Sequence, residues 1–131
     1  MALNNPYSVY KKNSVNYASK EQLLLMLVEG AVKFIKIARQ GILDKNVKVA
    51  HENMIKAQNI YYELMISLDE KSAGKWAVSL KQVYDFIIKK LVEANIKKDV
   101  SIIDNEILPL AENIKDTWEQ AYEISKSGNP L

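Results

Sequence analysis

The sequence predicts an all-α protein, an antiparallel four-helix bundle, and three observations carry that expectation. Apolar residues recur at helical spacing through three long segments and a fourth, interrupted one. No run alternates apolar and polar residues between turn formers, as a half-buried strand would. The breakers are few, 4 glycines and 3 prolines. Pro6, Gly41, Gly74, Gly128 and Pro130 fall at ends or joints, whereas Gly30 and Pro109 fall inside helical patterns. Joints of about three to seven residues force neighbouring helices to run in opposite directions.

Ser19 opens the first helix. Ser19-Lys20-Glu21-Gln22 is a capping box, in which the Ser19 hydroxyl accepts from the Gln22 amide and the Gln22 side chain reaches back. Gln22, Glu29, Lys33, Lys36 and Gln40 then make one narrow polar strip. The remainder, Leu23, Leu24, Met26, Leu27, Val28, Ala31, Phe34, Ile35 and Ala38, spans an apolar arc of about 200°, against the ~100° of an ordinary surface helix. Such a helix sits between two neighbours or leaves part of its face for a partner. Gly41 and Asp44-Lys45-Asn46 are expected to end it.

The second helix is expected over 47–68, with Val47, Ala50, Met54, Ala57, Tyr61, Leu64, Met65 and Leu68 as its core face. A second apolar stripe, Ile55, Tyr62 and Ile66, lies about 100° away. After a joint at 69–74, the third helix runs over 75–97 with Trp76, Leu80, Val83, Tyr84, Ile87, Leu91 and Ala94 inward. Ile88, Val92 and Phe86 are apolar residues off that face. Asp99 or Ser101 caps the fourth helix, whose inward set is Val100, Ile103, Ile107, Leu110, Ala111, Ile114, Trp118 and Ala121. Pro109 removes one backbone bond and crowds the preceding turn. A kink or break is therefore expected near 105–108, where Pro109 opens a second segment. The organisation is one domain over 1–131: a strap at 1–18, the bundle at 19–124 and a frayed tail at 125–131.

Composition excludes several function classes. Lys and Arg number 18 against 16 Asp and Glu, a net charge of +2, without the basic stripe of a nucleic-acid binder. With 48% apolar residues the chain does not have a disordered composition. It has no cysteine, which removes disulfides, thiolate metal sites and cysteine nucleophiles and fits a reducing compartment. No secretory signal is visible at the start, and no run approaches the ~18 apolar residues of a membrane span. A cytoplasmic protein without stable membrane insertion is expected.

The catalytic inventory is thin, and no enzyme is expected. The one histidine, His51, has no glutamate three residues before it, which removes the Glu-x-x-His di-metal site. Zinc lacks a second histidine, and there is neither a Gly-rich phosphate loop nor a nucleophile elbow. No cofactor or metal is expected. The enzyme-linked alternative is a histidine phosphotransfer domain using His51. That chemistry needs an exposed imidazole with a small residue and a cation one turn on. Here the next turn offers Lys56, but also the bulky Met54 and Ile55.

The apolar surplus reads in two ways. It is core, because a bundle helix touches two or three neighbours, or it is a groove for a partner helix with anchors at i, i+3/i+4 and i+7. A helical scaffold pairing with a second copy would use the same faces. The segment ahead of Ser19 is also distinctive: Tyr7, Tyr10 and Tyr17, with Val9 and Val15, fall outside any long helix. Disordered tails are poor in aromatics. The segment reads as a strap packed permanently on the bundle, or as one that leaves a groove when a partner arrives.

These residues resemble the FliS family, the flagellar export chaperones for flagellin. The likeness opens on Asn5-Pro6-Tyr7-x-x-Tyr10-x-x-Asn13-x-Val15 and Ala18-Ser19. It runs through Leu23-x-x-Met26-Leu27, Gly30-Ala31, Lys56-Ala57, Ile60, Glu63-Leu64 and Leu68-Asp69. Gly74, Leu80, Tyr84-Asp85-Phe86, Leu91, Ala94-Asn95, Asp99 and Trp118 complete it. The family pattern differs at Tyr17, Lys20, Val28-Glu29, Ala73-Gly74-Lys75 and Pro109. The resemblance implies a cytoplasmic bundle that binds the disordered C-terminal segment of flagellin, which becomes helical in hydrophobic grooves. Sequestration prevents premature polymerisation and keeps flagellin competent for flagellar type III secretion.

The resemblance further implies no nucleotide or metal, a strap that covers part of the groove in the free protein, and the flagellar export gate as receiver of the loaded complex. Other flagellar regulators or a co-chaperone are further partners. Strap residues Tyr7 and Tyr10 are expected to bind the partner, with Ile55, Tyr62, Ile66, Ile88 and Val92 as groove wall on helical angles. A monomer or weak homodimer is expected.

Overall fold

The computed structural model describes residues 19–68 and 74–126. Among them there is no strand. Helix α1 is Lys20–Leu43, α2 Val47–Ser67 and α3 Lys75–Lys97; α4, over 100–126, has three pieces, Val100–Ile102, a π turn at Ile103–Ile107, and Leu108–Lys126. The strap at 1–18, with Tyr7 and Tyr10, and the tail at 127–131 lie outside the described residues.

Local chemistry sets the boundaries. The Ser19 hydroxyl accepts from the Gln22 amide at 3.1 Å and Gln22 Oε1 from the Ser19 amide at 2.9 Å, which completes the capping box. Asn46 caps α2 by accepting from the Val49 amide, and Asp99 caps α4 by accepting from that of Ser101. The Asp44-Lys45-Asn46 joint ends α1 as expected, with Asp44 as its cap, but Gly41 lies inside the helix. The helix continues to Leu43, and Gly41 is buried where α2 crosses. The last helical piece runs to Lys126.

Helix α1 packs on both α2 and α4, and α2 packs on α3. Its wide apolar arc is therefore mostly core: Leu27, Val28, Ala31, Val32, Ile35 and Ala38 are buried. Tyr61 and Tyr84 meet in the middle of the bundle, ring centroids 5.8 Å apart. Two expected core residues lie elsewhere. Val47 is 63% exposed, because it begins α2 beyond the reach of its neighbours, and Trp76 is 57% exposed, near the start of α3 where α3 and α4 part.

The expected break in α4 takes the form of the π turn, in which the Leu108 amide donates to the Ile103 carbonyl. Pro109 has no N–H and cannot continue the ordinary ladder, so the widened turn places it just inside a fresh helical segment. Both neighbours pin this turn. Arg39 on α1 donates to both Asp104 oxygens, at 2.6 and 3.0 Å, and Lys90 on α3 reaches Glu106 at 3.0 Å. The guanidinium holds the Asp104 carboxyl below the usual carboxylate range.

Candidate functional site

Among the described residues, two apolar surfaces stand out once the core is filled. The first runs along the outer seam of α2 and α3. His51 faces α3, because its Nδ1 lies 2.9 Å from Asn95 Nδ2. At 100° per residue Ile55, Tyr62 and Ile66 all fall within roughly 60° of His51, so the α2 stripe lies on the flank turned toward α3. The His51–Asn95 and Tyr61–Tyr84 contacts fix the register, which puts Ile55 within a turn of Val92. Tyr62 stands level with Val83–Tyr84. The structure therefore brings together four of the expected groove residues: Ile55 is half-buried, Tyr62 is 49% exposed, Ile66 78% and Val92 40%.

Ile88 is the exception. It is only 3% exposed and belongs to the core, because its angle on α3 falls between the inward face and Val92. Its neighbours on the same flank, Val78 and Ile96, are 43% and 78% exposed. Sequence reasoning missed them, although Val78, Val92 and Ile96 recur at helical spacing.

The second surface is a cleft between the first half of α3 and the last piece of α4, about 470 Å³ in volume. Trp76, Leu80 and Val83 form one wall and Leu110, Ile114, Trp118 and Ala121 the other; Asn113 and Thr117 are its polar members. None of these residues is ionisable. Sequence reasoning took this set as closed core, and Pro109 is the signal that α4 does not lie along α3 throughout. At the floor the Trp118 side chain lies beside the Tyr84 hydroxyl, and burial pushes the Tyr84 phenol up to about 12. The buried Tyr61 hydroxyl has no hydrogen-bond partner among the described residues, and burial raises its pKa as well.

His51 is part of a structural cluster. The Lys98 ammonium can only donate, and it donates to Asn95 Oδ1 at 2.8 Å and to the Asn95 carbonyl. The Asn95 amide is thereby oriented with its NH₂ toward His51, so Nδ1 accepts and the ring proton is assigned to Nε2. The nitrogen nearer the bundle is thus engaged in joining α2 to α3. No group of three or more His, Cys, Asp or Glu residues among those described could hold a metal ion. No described helix is long and apolar enough to cross a membrane.

A helical bundle that leaves apolar surfaces open among its described residues fits the class of proteins that bind other proteins. Comparison with known sequences makes it particular. The family model for the flagellar protein FliS matches residues 3–125, and the chain belongs to that family, one of chaperones and not of enzymes. It is 39% identical to the flagellar secretion chaperone FliS of Bacillus subtilis (strain 168) over 126 residues, 96% of this chain and 92% of that one. Its identity to the FliS chaperone of Salmonella typhimurium is 34%, covering 83% and 81% of the two chains. For that of Escherichia coli (strain K12) it is 32%, over 84% and 81%.

Proposed function

We propose that the protein is a cytoplasmic export chaperone. It binds the C-terminal segment of flagellin in its hydrophobic grooves, prevents premature polymerisation and presents the loaded complex to the flagellar type III export gate. The observation that carries this reading is the pair of leftover apolar surfaces on a bundle whose own core is complete. A segment that folds on binding must bury a large apolar area to offset its ordering entropy. Tyr62, Ile66 and Val92 on one seam, and Trp76 with Trp118 at the cleft, provide aromatic and aliphatic anchors of the kind that dominate such interfaces.

Strap residues Tyr7 and Tyr10, ahead of Ser19, are assigned to flagellin binding beside these surfaces. The strap's attachment point supports this: Ser19 begins α1 at the end of the bundle where α3 starts and α4 finishes, and the cleft opens at that end. Calorimetric titration of Tyr10→Ala with the flagellin segment tests the strap. Altered affinity with stability kept within about 1–2 kcal/mol supports it, whereas loss of folding makes Tyr10 a purely structural residue. A concentration-dependent dimer without affinity for flagellin would point instead to a self-pairing scaffold.

A further inference from the structure

We infer that the last piece of α4, Leu108–Lys126, is a hinged lid on the cleft, turning at the π turn and Pro109 and latched by Trp118 on Tyr84. This deepens the proposed function by naming how the cleft admits a helix, and its flagellin-dependent part rests on that reading.

The two sides of the junction differ in how they are held. On the near side Ile102, Ile103 and Ile107 are buried, and the π turn is tied to α1 through Arg39–Asp104 and to α3 through Lys90–Glu106. At the junction Pro109 offers no backbone donor, so the axial hydrogen bonding that stiffens a helix is thinnest there. Sharp changes of helix direction concentrate at prolines and π turns for this reason.

Among the described residues beyond Pro109 only Ala111 and Ile114 are buried, with Leu110 and Trp118 half-buried against the core. The arm leans on α1 and leaves α3 at the cleft. Its polar contacts with α1 are weak ties: Lys36 reaches Glu112 at 3.9 Å between exposed side chains. Glu29 faces Glu119, two carboxyls that repel when both are ionised. Trp118, on the α4 wall of the cleft and beside the Tyr84 hydroxyl, is then the contact that closes the arm against α3. Outward rotation about the π turn parts Trp118 from Tyr84, widens the cleft and leaves the pinned half of the bundle unchanged.

The test uses the full chain with spin-label pairs at exposed positions. Gln82 and Gln120 span α3 and the arm, while Lys89 and Asn105 span α3 and the pinned turn. The lid predicts a Gln82–Gln120 distance distribution about twofold wider than the Lys89–Asn105 one, as expected when opening is local. Tyr84→Phe, which keeps the ring but removes the hydroxyl beside Trp118, should widen the first distribution further and leave the second unchanged. Trp118→Phe should do the same. Equal narrow distributions in all three proteins overturn the lid, as does parallel widening of both pairs.

Adding the flagellin C-terminal segment, with binding followed by calorimetry on the same samples, should move Gln82–Gln120 to a longer, narrower distance. Binding without that movement overturns the lid as the route of entry. Absence of binding counts against the chaperone reading, and the widths in the free protein still decide the lid.

Discussion

A Cβ placed on Gly41 would stand 2.8 Å from the backbone nitrogen of Ala50 and 3.1 Å from its Cα. Backbone meets backbone there, so neither helix can yield by a rotamer change. Gly41→Ala should therefore destabilise the bundle by about 1–3 kcal/mol. Gly30 is the internal control, since its added Cβ meets only Ile60 Cδ1 at an ordinary 3.6 Å. Gly30→Ala should stabilise by about 0.5–1 kcal/mol through helix propensity. Urea unfolding of the two variants gives both signs.

Tyr61 carries a hydroxyl that the core does not satisfy. Tyr61→Phe should be neutral or stabilising by up to about 1 kcal/mol at neutral pH, because an unpaired buried hydroxyl is a desolvation penalty. The advantage should grow in alkali. The folded phenols of Tyr61 and Tyr84 ionise above the ordinary value of 10.0. Between that value and the folded one the unfolded chain holds fewer protons, so stability falls as pH rises. Unfolding curves from pH 8 to about 11 should show this decline, shallower in Tyr61→Phe.

Glu29 and Glu119 repel across the seam of α1 and α4. Burial, reinforced by the contact with Glu119, raises the Glu29 pKa above 4.5. Its protonated form is thus favoured in the fold, and its contribution to stability declines as pH rises from 4.5 through the folded value. Glu29→Gln should gain about 0.3–0.5 kcal/mol at pH 7, after allowance for solvent screening. The gain should vanish in acid. Thermal melts at the two pH values read this out.

His51 separates a structural from a chemical role. Glutamine offers an acceptor to Asn95, so His51→Gln should leave stability and partner binding close to wild type. His51→Leu, which orphans the Asn95 amide, should lose about 1 kcal/mol. A phosphotransfer protein would instead lose its function with His51→Gln and carry acid-labile phosphate on that ring.

Much of this architecture was legible in the sequence because helices announce themselves locally. The Ser19 box and the Asp99 cap need only neighbours three residues apart or fewer. The breakdown at Pro109 follows from a missing N–H. Gly41 was misread as a terminator, because a glycine that ends a helix and one that admits another backbone look alike without the partner helix. The candidate site was legible on α2, where Tyr62 and Ile66 sit on a separate stripe from the core. It was not legible at Ile88, whose angle lies between the core face and the exposed flank. Nor was it legible at Trp76 and Trp118, since only the divergence of α3 and α4 turns their expected core face into a cleft wall.

The central claim, that the leftover apolar surfaces hold a flagellin segment, is tested most directly by calorimetric titration with the C-terminal ~50 residues of the cognate flagellin, followed in parallel by circular dichroism. Wild type should bind one to one, with a gain in helicity and a negative heat-capacity change. Tyr62→Ala combined with Ile66→Ser should weaken binding at least about tenfold while stability stays within about 0.5 kcal/mol, because both side chains are substantially exposed. Ile88→Ala should show the reverse emphasis, losing about 2–5 kcal/mol of stability from the core. No heat at high micromolar concentration, or undiminished affinity in the double variant, would contradict the account.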